Sequence, residues 1–252
     1  MRFNERTAVI TGAAQGIGLA TAKRLAEEGV SLVAADIDGA TLEQAGDTLR
    51  AMGSKTELVV GDLSQRAGAE HLIAAALAWA GRVDILVNNA GGGVIRATLK
   101  HTEETLRTTI DRNLWTTIYC TLEVLPVMQQ QGYGRIVNVG AESVRNGLFE
   151  HAIYNAAKGG VHGLTTGLAR EFFADGITVN TVAPSMVVTE AVAALMDVPA
   201  AAPALAKIVS TIPAGRAATM AEVAALVAFV ASDEASFVTG QVISVNGASS
   251  ML

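Results

Sequence analysis

The segment 154–158 reads YNAAK and places the phenol of Tyr154 four residues before the ammonium of Lys158. On a helix, side chains at this spacing lie on one face. Because an ammonium beside a phenol favours the phenolate, we expect the pKa of Tyr154 to fall toward working pH. Such a phenol can take a proton from an alcohol or return one to a carbonyl. Alone, the pair is more typical of a surface contact, so the chemistry depends on a hydride acceptor nearby.

A glycine-rich turn near the start of the chain can hold that acceptor. The segment 11–18 reads TGAAQGIG, with a strand-like run before it and a helical pattern after it. Glycines there permit a tight turn and close approach of the backbone to a phosphate, and the helix N-terminus offers N–H groups to a pyrophosphate. The spacing is G-x-x-x-G-x-G, not the commoner G-x-G-x-x-G. The expected contacts are Gly12, Gln15, Gly16, Ile17 and Gly18.

Asp36 ends the second strand-like run, 18 residues after Gly18. An acidic side chain at this point can bind the adenosine ribose hydroxyls, and it would repel a 2′-phosphate. Neither Gln15 nor Ile37 is basic, so the sequence favours NAD over NADP. The alternative is a simple turn residue, since an Asp-Gly pair follows.

Asp62 ends the third strand-like run and is followed by Leu63. We expect both residues at the adenosine end of the cofactor. The Asp62 side chain can receive the adenine amino group, or it can simply cap the next helix.

Composition limits the classes of protein that are possible. Of 252 residues, 50% are hydrophobic and 17% are charged, and the net charge of −6 is spread along the chain. This is typical of a globular protein with a sizeable core, and it argues against nucleic acid or an anionic membrane as a partner. No signal segment and no run of 18 apolar residues is present. We therefore expect a soluble, cytoplasmic protein.

Cysteine and histidine give no sign of a disulfide or a metal site. The single Cys120 allows no intrachain disulfide and is expected to be a small buried apolar residue. His71, His101 and His162 lack metal-ligand spacing, and no cysteine cluster exists. No metal is predicted.

Short β-rich runs alternate with helical patterns along the chain. The alternation predicts a Rossmann-type, doubly wound parallel sheet of seven strands with helices on both faces, in one domain over residues 1–252. The predicted strands are Thr7–Thr11, Ser31–Asp36, Glu57–Asp62, Ile85–Asn89, Arg135–Val139, Thr178–Ala183 and Gln241–Val245. The predicted helices are Gly16–Glu28, Ala40–Met52, Arg66–Trp79, Thr102–Gln131, Ala152–Ala174 and Met220–Ala231.

One stretch, Met186–Gly215, breaks this alternation. It is rich in alanine and contains three prolines. Since it follows the sixth strand, it should lie at the carboxyl edge of the sheet, where ligands bind in such folds, and we expect a mobile helical lid. A surface insertion without a role is the alternative. The apolar residues that favour a partly hydrophobic substrate are Met186, Val187, Met196 and Ile208.

Together these residues resemble the short-chain dehydrogenase/reductase superfamily over almost the whole chain. The resemblance rests on the glycine turn, on the Tyr154–Lys158 run and on further motifs at intervals typical of the family. Those further motifs are Asn88-Asn89-Ala90-Gly91, Asn113, and Pro184 with Thr189.

The resemblance implies an oxidoreductase that uses a nicotinamide cofactor, with Tyr154 as the general acid/base. Lys158 would lower the pKa of Tyr154 and bind the nicotinamide ribose, and Asn113 would hold a water molecule that links Lys158 to solvent. Val187 and Thr189 would hold the carboxamide, with Ser185 in place of the family's usual glycine. The cofactor contacts that the resemblance implies are Asn89, Ala90, Gly91, Tyr154, Lys158, Pro184, Val187 and Thr189.

The resemblance also implies a homotetramer. The helical patterns Thr102–Gln131 and Ala152–Ala174 are apolar on more than one face, which indicates burial on two sides. One side can cover the sheet and the other a second subunit. We expect Gln241–Leu252 near another interface.

One departure from the family concerns the serine that orients the substrate. The family usually has a serine pair directly after the fifth strand, about 13 residues before the tyrosine, where this chain has Gly140 and Ala141. Ser143 stands 11 residues before Tyr154, and a shorter loop could bring its hydroxyl to the same point. We expect Ser143 to hold the substrate hydroxyl; the alternative is a loop serine that hydrogen-bonds its own backbone.

The segment 140–158 resembles a branch of the family that oxidises cis-dihydrodiols of aromatic acids, such as benzoate and p-cumate dihydrodiols. Oxidation is favoured because the product can become an aromatic catechol. Arg145, His151 or Arg96 could meet the substrate carboxylate, although each alone is more typical of a solvated residue. The main alternative is reduction of a 3-oxoacyl thioester or another small ketone. A dinucleotide-binding sensor or scaffold is a minor alternative, which the Tyr/Lys pair disfavours.

Overall fold

The computed structural model describes residues 2–3 and 5–251, so that Leu252, which ends the predicted C-terminal interface segment, lies outside the described residues. Within them, seven strands form one parallel sheet in the order β3-β2-β1-β4-β5-β6-β7. The strands are β1 (Thr7–Thr11), β2 (Ser31–Asp36), β3 (Thr56–Val60), β4 (Ile85–Asn88), β5 (Gly134–Val139), β6 (Ile177–Pro184) and β7 (Val242–Val245).

Helices connect the strands and cover both faces of the sheet. They are α1 (Gly16–Glu27), α2 (Gly39–Ala51), α3 (Arg66–Ala80), α4 (Glu103–Ile110), α5 (Thr116–Gln131), α6 (Ser143–Asn146), α7 (Ala152–Phe172), α8 (Glu190–Met196), α9 (Ala202–Ser210) and α10 (Met220–Val230). The predicted doubly wound architecture is confirmed.

Two apolar cores lie on opposite faces of this sheet. One is packed by α1, α2 and α10, and the other by α3, α5 and α7. Because both faces are covered, central strands such as β1 are buried along their whole length. Burial on both faces is why those strands read as nearly continuous apolar runs in the sequence.

Strand ends are set by pairing rather than by local composition. β1 and β2 have the predicted bounds, but β3 ends at Val60 instead of Asp62 because Val60 pairs with Asp36, the last residue of β2. β6 extends to Pro184, one residue past its predicted end, because β7 pairs with it there through Val245.

The predicted helix Thr102–Gln131 is interrupted in the structure. After α4, residues Asp111–Trp115 form a π-helical turn before α5 begins. A π turn inserts an extra residue into the helix and changes the direction of its side chains, and such turns are frequent at functional sites. Asn113 lies at the centre of this turn and is buried.

The stretch Met186–Gly215 contains two short helices, α8 and α9, joined by residues 197–201. Pro203 stands in the first turn of α9, where its missing N–H breaks no helical hydrogen bond. The predicted helical content is therefore present, while movement of a lid stays a prediction. None of the helices in the described part of the chain has the length and hydropathy of a membrane span.

Candidate active site

A cleft of about 900 Å³ opens at the carboxyl ends of the strands. The order of the strands reverses between β1 and β4, which is where open α/β sheets bind ligands. Gly18 and Asn113, two of the predicted site residues, do not line this cleft. The predicted residues that do line it are Gly12, Gln15, Gly16, Ile17, Asp36, Asp62, Leu63, Asn89, Ala90, Gly91, Ser143, Tyr154, Lys158, Pro184, Val187 and Thr189.

The turn between β1 and α1 brings the backbone close to the cleft. Gly12 and Gly16 have φ of +64° and +60°, a region that glycine adopts without a steric penalty. A Cβ on Gly18 would lie 2.0 Å from the carbonyl oxygen of Gly12. Gly18 therefore lets α1 pack closely against the turn, and its predicted contact with the cofactor stays a prediction.

The N-terminus of α1 points its first N–H groups toward the cleft. Its N-cap residue, Gln15, makes no side-chain capping hydrogen bond among the described residues, and the first turn contains no acidic side chain. A helix end of this kind attracts a pyrophosphate through its N–H groups and its dipole. The residues present thus fit the phosphate end of a dinucleotide.

The carboxylate of Asp36 is held beside the glycine turn. Its Oδ2 accepts the N–H of Ala14 at 3.1 Å, and its Oδ1 accepts the N–H of Asp38 at 3.1 Å. Each carboxylate oxygen keeps a lone pair that can accept a ribose hydroxyl. The turn role and the ribose role are therefore compatible rather than exclusive.

Asp62 lies at the same end of the cleft but does not cap the following helix. Its Oδ1 accepts the N–H and the hydroxyl of Ser64, at 3.0 and 2.7 Å. Helix α3 begins at Arg66, after Gln65 as its N-cap residue. The capping alternative for Asp62 is thus wrong, because the helix starts further along the chain.

Asn89 fastens the end of β4 to the glycine turn. Its Nδ2 donates to the carbonyl oxygens of Thr11 and Gly12, each at 3.0 Å. The Thr11 hydroxyl accepts the N–H groups of Asn89 and Ala90, at 3.0 and 2.9 Å. The amide nitrogen of Asn89 therefore bonds the protein's own backbone. Asn89 lines the adenosine side of the cleft as a side chain fixed in place.

Tyr154 and Lys158 lie one turn apart on α7, and both face the cleft. The Lys158 Nζ is 6.0 Å from the centre of the Tyr154 ring and donates to the Val139 carbonyl at 2.7 Å. A Cβ on Gly93 would lie 2.6 Å from Cδ2 of Tyr154. The backbone of the loop after β4 therefore covers the tyrosine ring.

Burial sets the acidity of both groups. It raises the pKa of Tyr154 to about 12 and lowers the pKa of Lys158 to about 8. The expectation that Lys158 brings the Tyr154 pKa down is wrong for the protein's own groups. At this separation, the loss of solvation outweighs the attraction of the ammonium for the phenolate.

Asn113 does not line the cleft but holds the loop after β4 by hydrogen bonds. Its Nδ2 donates to the carbonyls of Gly92 and Thr109, at 3.0 and 2.9 Å, and its Oδ1 accepts the N–H of Gly92 at 3.2 Å. A Cβ on Gly91 would lie 2.7 Å from Oδ1 of Asn113 and 3.4 Å from Nζ of Lys158. Asn113 thus fixes the loop that separates it from Lys158, and its water-holding role stays a prediction.

Ser143 is the first residue of α6 and is buried beside the cleft. Its hydroxyl donates to Oδ1 of Asn155 at 2.6 Å, so it does not simply bond its own backbone. The hydroxyl oxygen keeps lone pairs that can accept a hydrogen bond from a substrate hydroxyl. Asn155 was not singled out from the sequence, although its place next to Tyr154 was the available signal.

Two of the three candidates for the substrate carboxylate are used elsewhere. The Arg145 guanidinium donates to the Ser244 hydroxyl and to the Val242 carbonyl, each at 2.8 Å, and so ties α6 to β7. The Arg96 guanidinium donates to the Lys100 carbonyl at 3.4 Å. Neither arginine lines the cleft, because Arg145 turns toward β7 and Arg96 turns toward the backbone at Lys100.

His151 is the third candidate, and it does line the cleft. Its Nδ1 lies 2.7 Å from the carbonyl oxygen of Phe149 and must donate there, which leaves Nε2 for another partner. Its ring meets the Tyr154 ring edge-on, with 6.0 Å between the ring centres. Among the three candidates, only His151 stands next to the tyrosine.

Another wall of the cleft is formed by residues of the stretch Met186–Gly215. Met186, Val187 and Ile208 line the cleft as predicted, but Met196 does not. Met196 ends α8 and is 40% exposed, since it is the start of that helix that faces the cleft. Leu205 and Ile212 supply the apolar surface that Met196 was expected to give.

Several further polar residues at the cleft were missed from the sequence, and they are Ser64, Arg112, Thr116, Glu142, Asn146, Glu190, Thr211 and Ser249. Glu142 is fully buried, although it carries a carboxylate. A charged residue three positions after the end of the buried strand β5 was the only local signal for it. No group of three or more potential metal ligands is found among residues 2–3 and 5–251.

Comparison with known proteins gives matches along nearly the whole chain. The family described as Enoyl-(Acyl carrier protein) reductase matches residues 12–249. The chain is 53% identical over 249 residues to 2,3-dihydroxy-2,3-dihydro-p-cumate dehydrogenase of Pseudomonas putida F1, covering 98% of this chain and 95% of that one. It is 36% identical over 247 residues to 3-oxoacyl-(acyl-carrier-protein) reductase FabG of Escherichia coli K12, covering 98% of each. The crystal structure of a levodione reductase superposes with a TM-score of 0.93 at 31% identity, over 98% of each chain.

Proposed function

We propose that this chain, which belongs to the short-chain dehydrogenase/reductase superfamily, oxidises the cis-dihydrodiol of an aromatic acid to a catechol, with NAD as hydride acceptor. The observation that carries the proposal is the presence of Tyr154, Lys158, Ser143 and His151 in one cleft with the glycine turn. The 53% identity to a dehydrogenase named for the p-cumate dihydrodiol supports the substrate class.

In this mechanism Tyr154 takes the proton of the reacting hydroxyl, and Ser143 holds that hydroxyl in place. Lys158, anchored on the Val139 carbonyl, contributes a positive charge that favours the phenolate below about pH 8, where the ammonium persists. The chemistry that NAD supplies is acceptance of the hydride from the carbinol carbon. The diol thus loses one hydride and one proton, and the hydroxyketone that results tautomerises to the catechol.

His151 is our proposal for the residue that meets the substrate carboxylate. Its Nδ1 is held by the Phe149 carbonyl, so Nε2 is the ring atom that can face the substrate. When the imidazole is protonated, Nε2 donates a charge-assisted hydrogen bond to a carboxylate oxygen. Its position beside Tyr154 would orient the ring diol with one carbinol at the phenol.

The preference for NAD over NADP rests on Asp36. Its carboxylate is fixed at the end of β2 by the Ala14 N–H, at the adenosine end of the cleft. A 2′-phosphate there would meet a negative charge, whereas a ribose hydroxyl can donate to it. The neighbouring residues Gln15 and Ile37 bring no compensating positive charge.

A homotetramer is also proposed, on the basis of exposed apolar side chains outside the cleft. Phe237 is 91% exposed and stacks edge-on with the 40% exposed Phe173 at the end of α7, and Leu122 on α5 is 49% exposed. Exposed apolar side chains on α5 and beside the end of α7 are suited to contact with further subunits. Light scattering on the purified protein should give the mass of four chains; a monomer would contradict this proposal.

Reduction of a 3-oxoacyl thioester is the second candidate, because FabG is named as a 3-oxoacyl-(acyl-carrier-protein) reductase and the matching family is also named as a reductase of an acyl-carrier-protein substrate. The apolar wall of Leu205, Ile208 and Ile212 could accept an acyl chain. The lower identity to FabG, 36% against 53%, makes it the weaker candidate.

The test is a direct assay of both reactions with the purified full chain. A cis-dihydrodiol carboxylate with NAD should yield NADH and a catechol, and the same diol with NADP should react poorly. A 3-oxoacyl thioester with NADPH or NADH should be reduced slowly at best. Preference for the thioester would overturn the proposal, and binding of NADH with no turnover of any alcohol or ketone would favour a sensor.

A further inference from the structure

A tight turn close to the C-terminus, residues 246–250, reaches the cleft. Asn246 holds it at both ends, because its Oδ1 accepts the Ala248 N–H at 3.0 Å and its Nδ2 donates to the Ser250 carbonyl at 2.8 Å. Gly247 and Ala248 have φ of +55° and +70°. The left-handed conformation is strained at a non-glycine residue such as Ala248, and it persists only where surrounding contacts enforce it.

The contact that enforces the turn is the buried carboxylate of Glu142. It accepts hydrogen bonds from the hydroxyls of Ser244, at 2.6 Å, and of Ser250. Arg145 donates to the same Ser244 hydroxyl from the other side. A carboxylate that is fully buried is costly unless it is hydrogen-bonded. Glu142 therefore ties the C-terminal turn firmly to the loop that begins α6 and carries Ser143.

The turn also packs on the apolar wall of the cleft. The Gly247 carbonyl accepts the N–H of Ala214 at 3.1 Å, and a Cβ on Gly247 would lie 2.8 Å from Cγ2 of Ile212. Ile212 is one of the residues that line the cleft after α9. The turn is thus fixed between two walls of the substrate end, the Ser143 loop and the end of α9.

Ser249 is the residue of the turn that lines the cleft. Its Oγ is buried and finds no hydrogen-bond partner among the described residues. Buried hydroxyls in proteins are nearly always hydrogen-bonded, so this one lacks its partner. Because Ser249 lines the cleft, rotation of its side chain to another rotamer can present the hydroxyl to a molecule bound there. None of the steps proposed above uses Ser249 or Glu142.

We propose that Ser249 is a substrate-binding residue and that Glu142 is the positioning residue that holds it in the cleft. This rests on the proposed dehydrogenase function. The partner of the Ser249 hydroxyl is an oxygen of the ring diol other than the reacting hydroxyl, which is either the second hydroxyl or a carboxylate oxygen. The C-terminal turn thereby takes part in substrate selection.

Steady-state kinetics of Ser249→Ala with the carboxylated diol test the contact. Loss of one neutral hydrogen bond should raise the KM for the diol about three- to tenfold, with a smaller change in kcat. The KM for NAD and the melting temperature should stay at wild-type values. A diol KM within twofold of wild type would overturn the assignment, because a water molecule would then satisfy the hydroxyl.

The same comparison with a cis-diol lacking the carboxylate identifies which substrate oxygen bonds Ser249. A rise in KM that persists assigns the second hydroxyl, and a rise that is lost assigns a carboxylate oxygen.

The positioning role is tested with Ser250→Ala, Glu142→Ala and Glu142→Gln. Ser250→Ala and Glu142→Ala release the turn and should raise the diol KM as Ser249→Ala does, without affecting the KM for NAD. Glu142→Gln can accept from one serine and donate to the other, so it should rescue most of the loss. Thr48→Ala, on the exposed face of α2, is the matched control. If Ser250→Ala keeps the wild-type KM, Glu142 does not position Ser249.

Failure of the proposed function can be told apart from failure of this inference. If the wild type does not oxidise the diol, the dehydrogenase proposal fails first. The variants are then compared on whichever substrate the wild type accepts. An unchanged KM there for Ser249→Ala would overturn the site itself.

Discussion

The two ends of the cleft differ in what forms their walls. At the dinucleotide end the expected phosphate site is formed by backbone, the turn from Gly12 to Gly18. Asp36 holds this turn by accepting the Ala14 N–H, and Asn89 holds it by donating to the Gly12 carbonyl. At the substrate end the wall is side chains from three distant segments: the Ser143 loop, the stretch Met186–Gly215, and the turn 246–250. Glu142 and the serines it holds there are 102 and 108 residues apart in the chain.

The difference shows how one scaffold can serve several substrates. Side chains at the substrate end can change while the glycine turn keeps its shape, because within residues 2–3 and 5–251 no hydrogen bond joins that turn to the substrate segments. Relatives named for a ring diol and for an acyl thioester match the same chain over 98% of its length. Substitutions at the two ends should therefore affect different kinetic constants.

The largest effect should come from Tyr154→Phe. The ring and its packing under Gly93 are kept, but the proton acceptor is lost, so kcat should fall by about 10²–10⁴-fold. The Kd for NADH, measured by fluorescence, should change by less than about threefold, because the dinucleotide end is untouched. Full activity in this variant would remove Tyr154 from the mechanism.

Ser143→Ala should produce the next largest effect. If Ser143 holds the reacting hydroxyl, kcat should fall at least about tenfold, as expected for loss of a positioned group in proton transfer. Asn155→Ala keeps the serine but removes its 2.6 Å partner, so it should give a smaller fall. A Ser143→Ala enzyme that keeps more than about a tenth of the wild-type kcat would argue against the role.

His151→Gln should affect only substrates that carry a carboxylate. A charge-assisted hydrogen bond is stronger than a neutral one, so the KM for the carboxylated diol should rise roughly tenfold. The KM for an uncharged cis-diol should stay near its wild-type value. Equal losses for both diols would show that His151 supports Tyr154 and does not recognise the carboxylate.

The smallest effect should come from Asp36→Asn at the dinucleotide end. The amide can still accept the Ala14 N–H through its oxygen, but the charge that repels a 2′-phosphate is gone. The ratio of kcat/KM for NAD to that for NADP should fall a few-fold, with the KM for the diol unchanged. An unchanged ratio would show that Asp36 does not set the cofactor preference.

The dinucleotide end could be predicted from the sequence because its main motifs are local, although the bond from Asn89 to Gly12 joins residues 77 apart. A strand, a glycine turn, a helix and then Asp36 follow one another within 30 residues, and each has a pattern of its own. The substrate end could not be predicted in this way. The bond between Glu142 and Ser250 leaves no periodic signal, and the use of Arg145 as a tie to β7 depends on where that strand pairs.

The pKa values of Tyr154 and Lys158 could not be predicted from the sequence either. The spacing of Tyr154 and Lys158 predicts their shared helix face, which the structure shows. It says nothing of the cover that Gly93 and its neighbours provide, or of the burial of Lys158. Burial reverses the expected direction of the Tyr154 pKa, which is raised to about 12.

Catalysis by Tyr154 requires that the phenol give up its proton in spite of that burial. The direct measurement is a spectrophotometric titration of phenolate in the wild type minus that in Tyr154→Phe, with and without saturating NAD. Without NAD, the difference signal should titrate near pH 12. With NAD, the added positive charge should move it to lower pH, and kcat for diol oxidation should rise with pH along the same curve. A difference signal that NAD does not shift, or a kcat that falls as pH rises from 6 to 8, would contradict Tyr154 as the base.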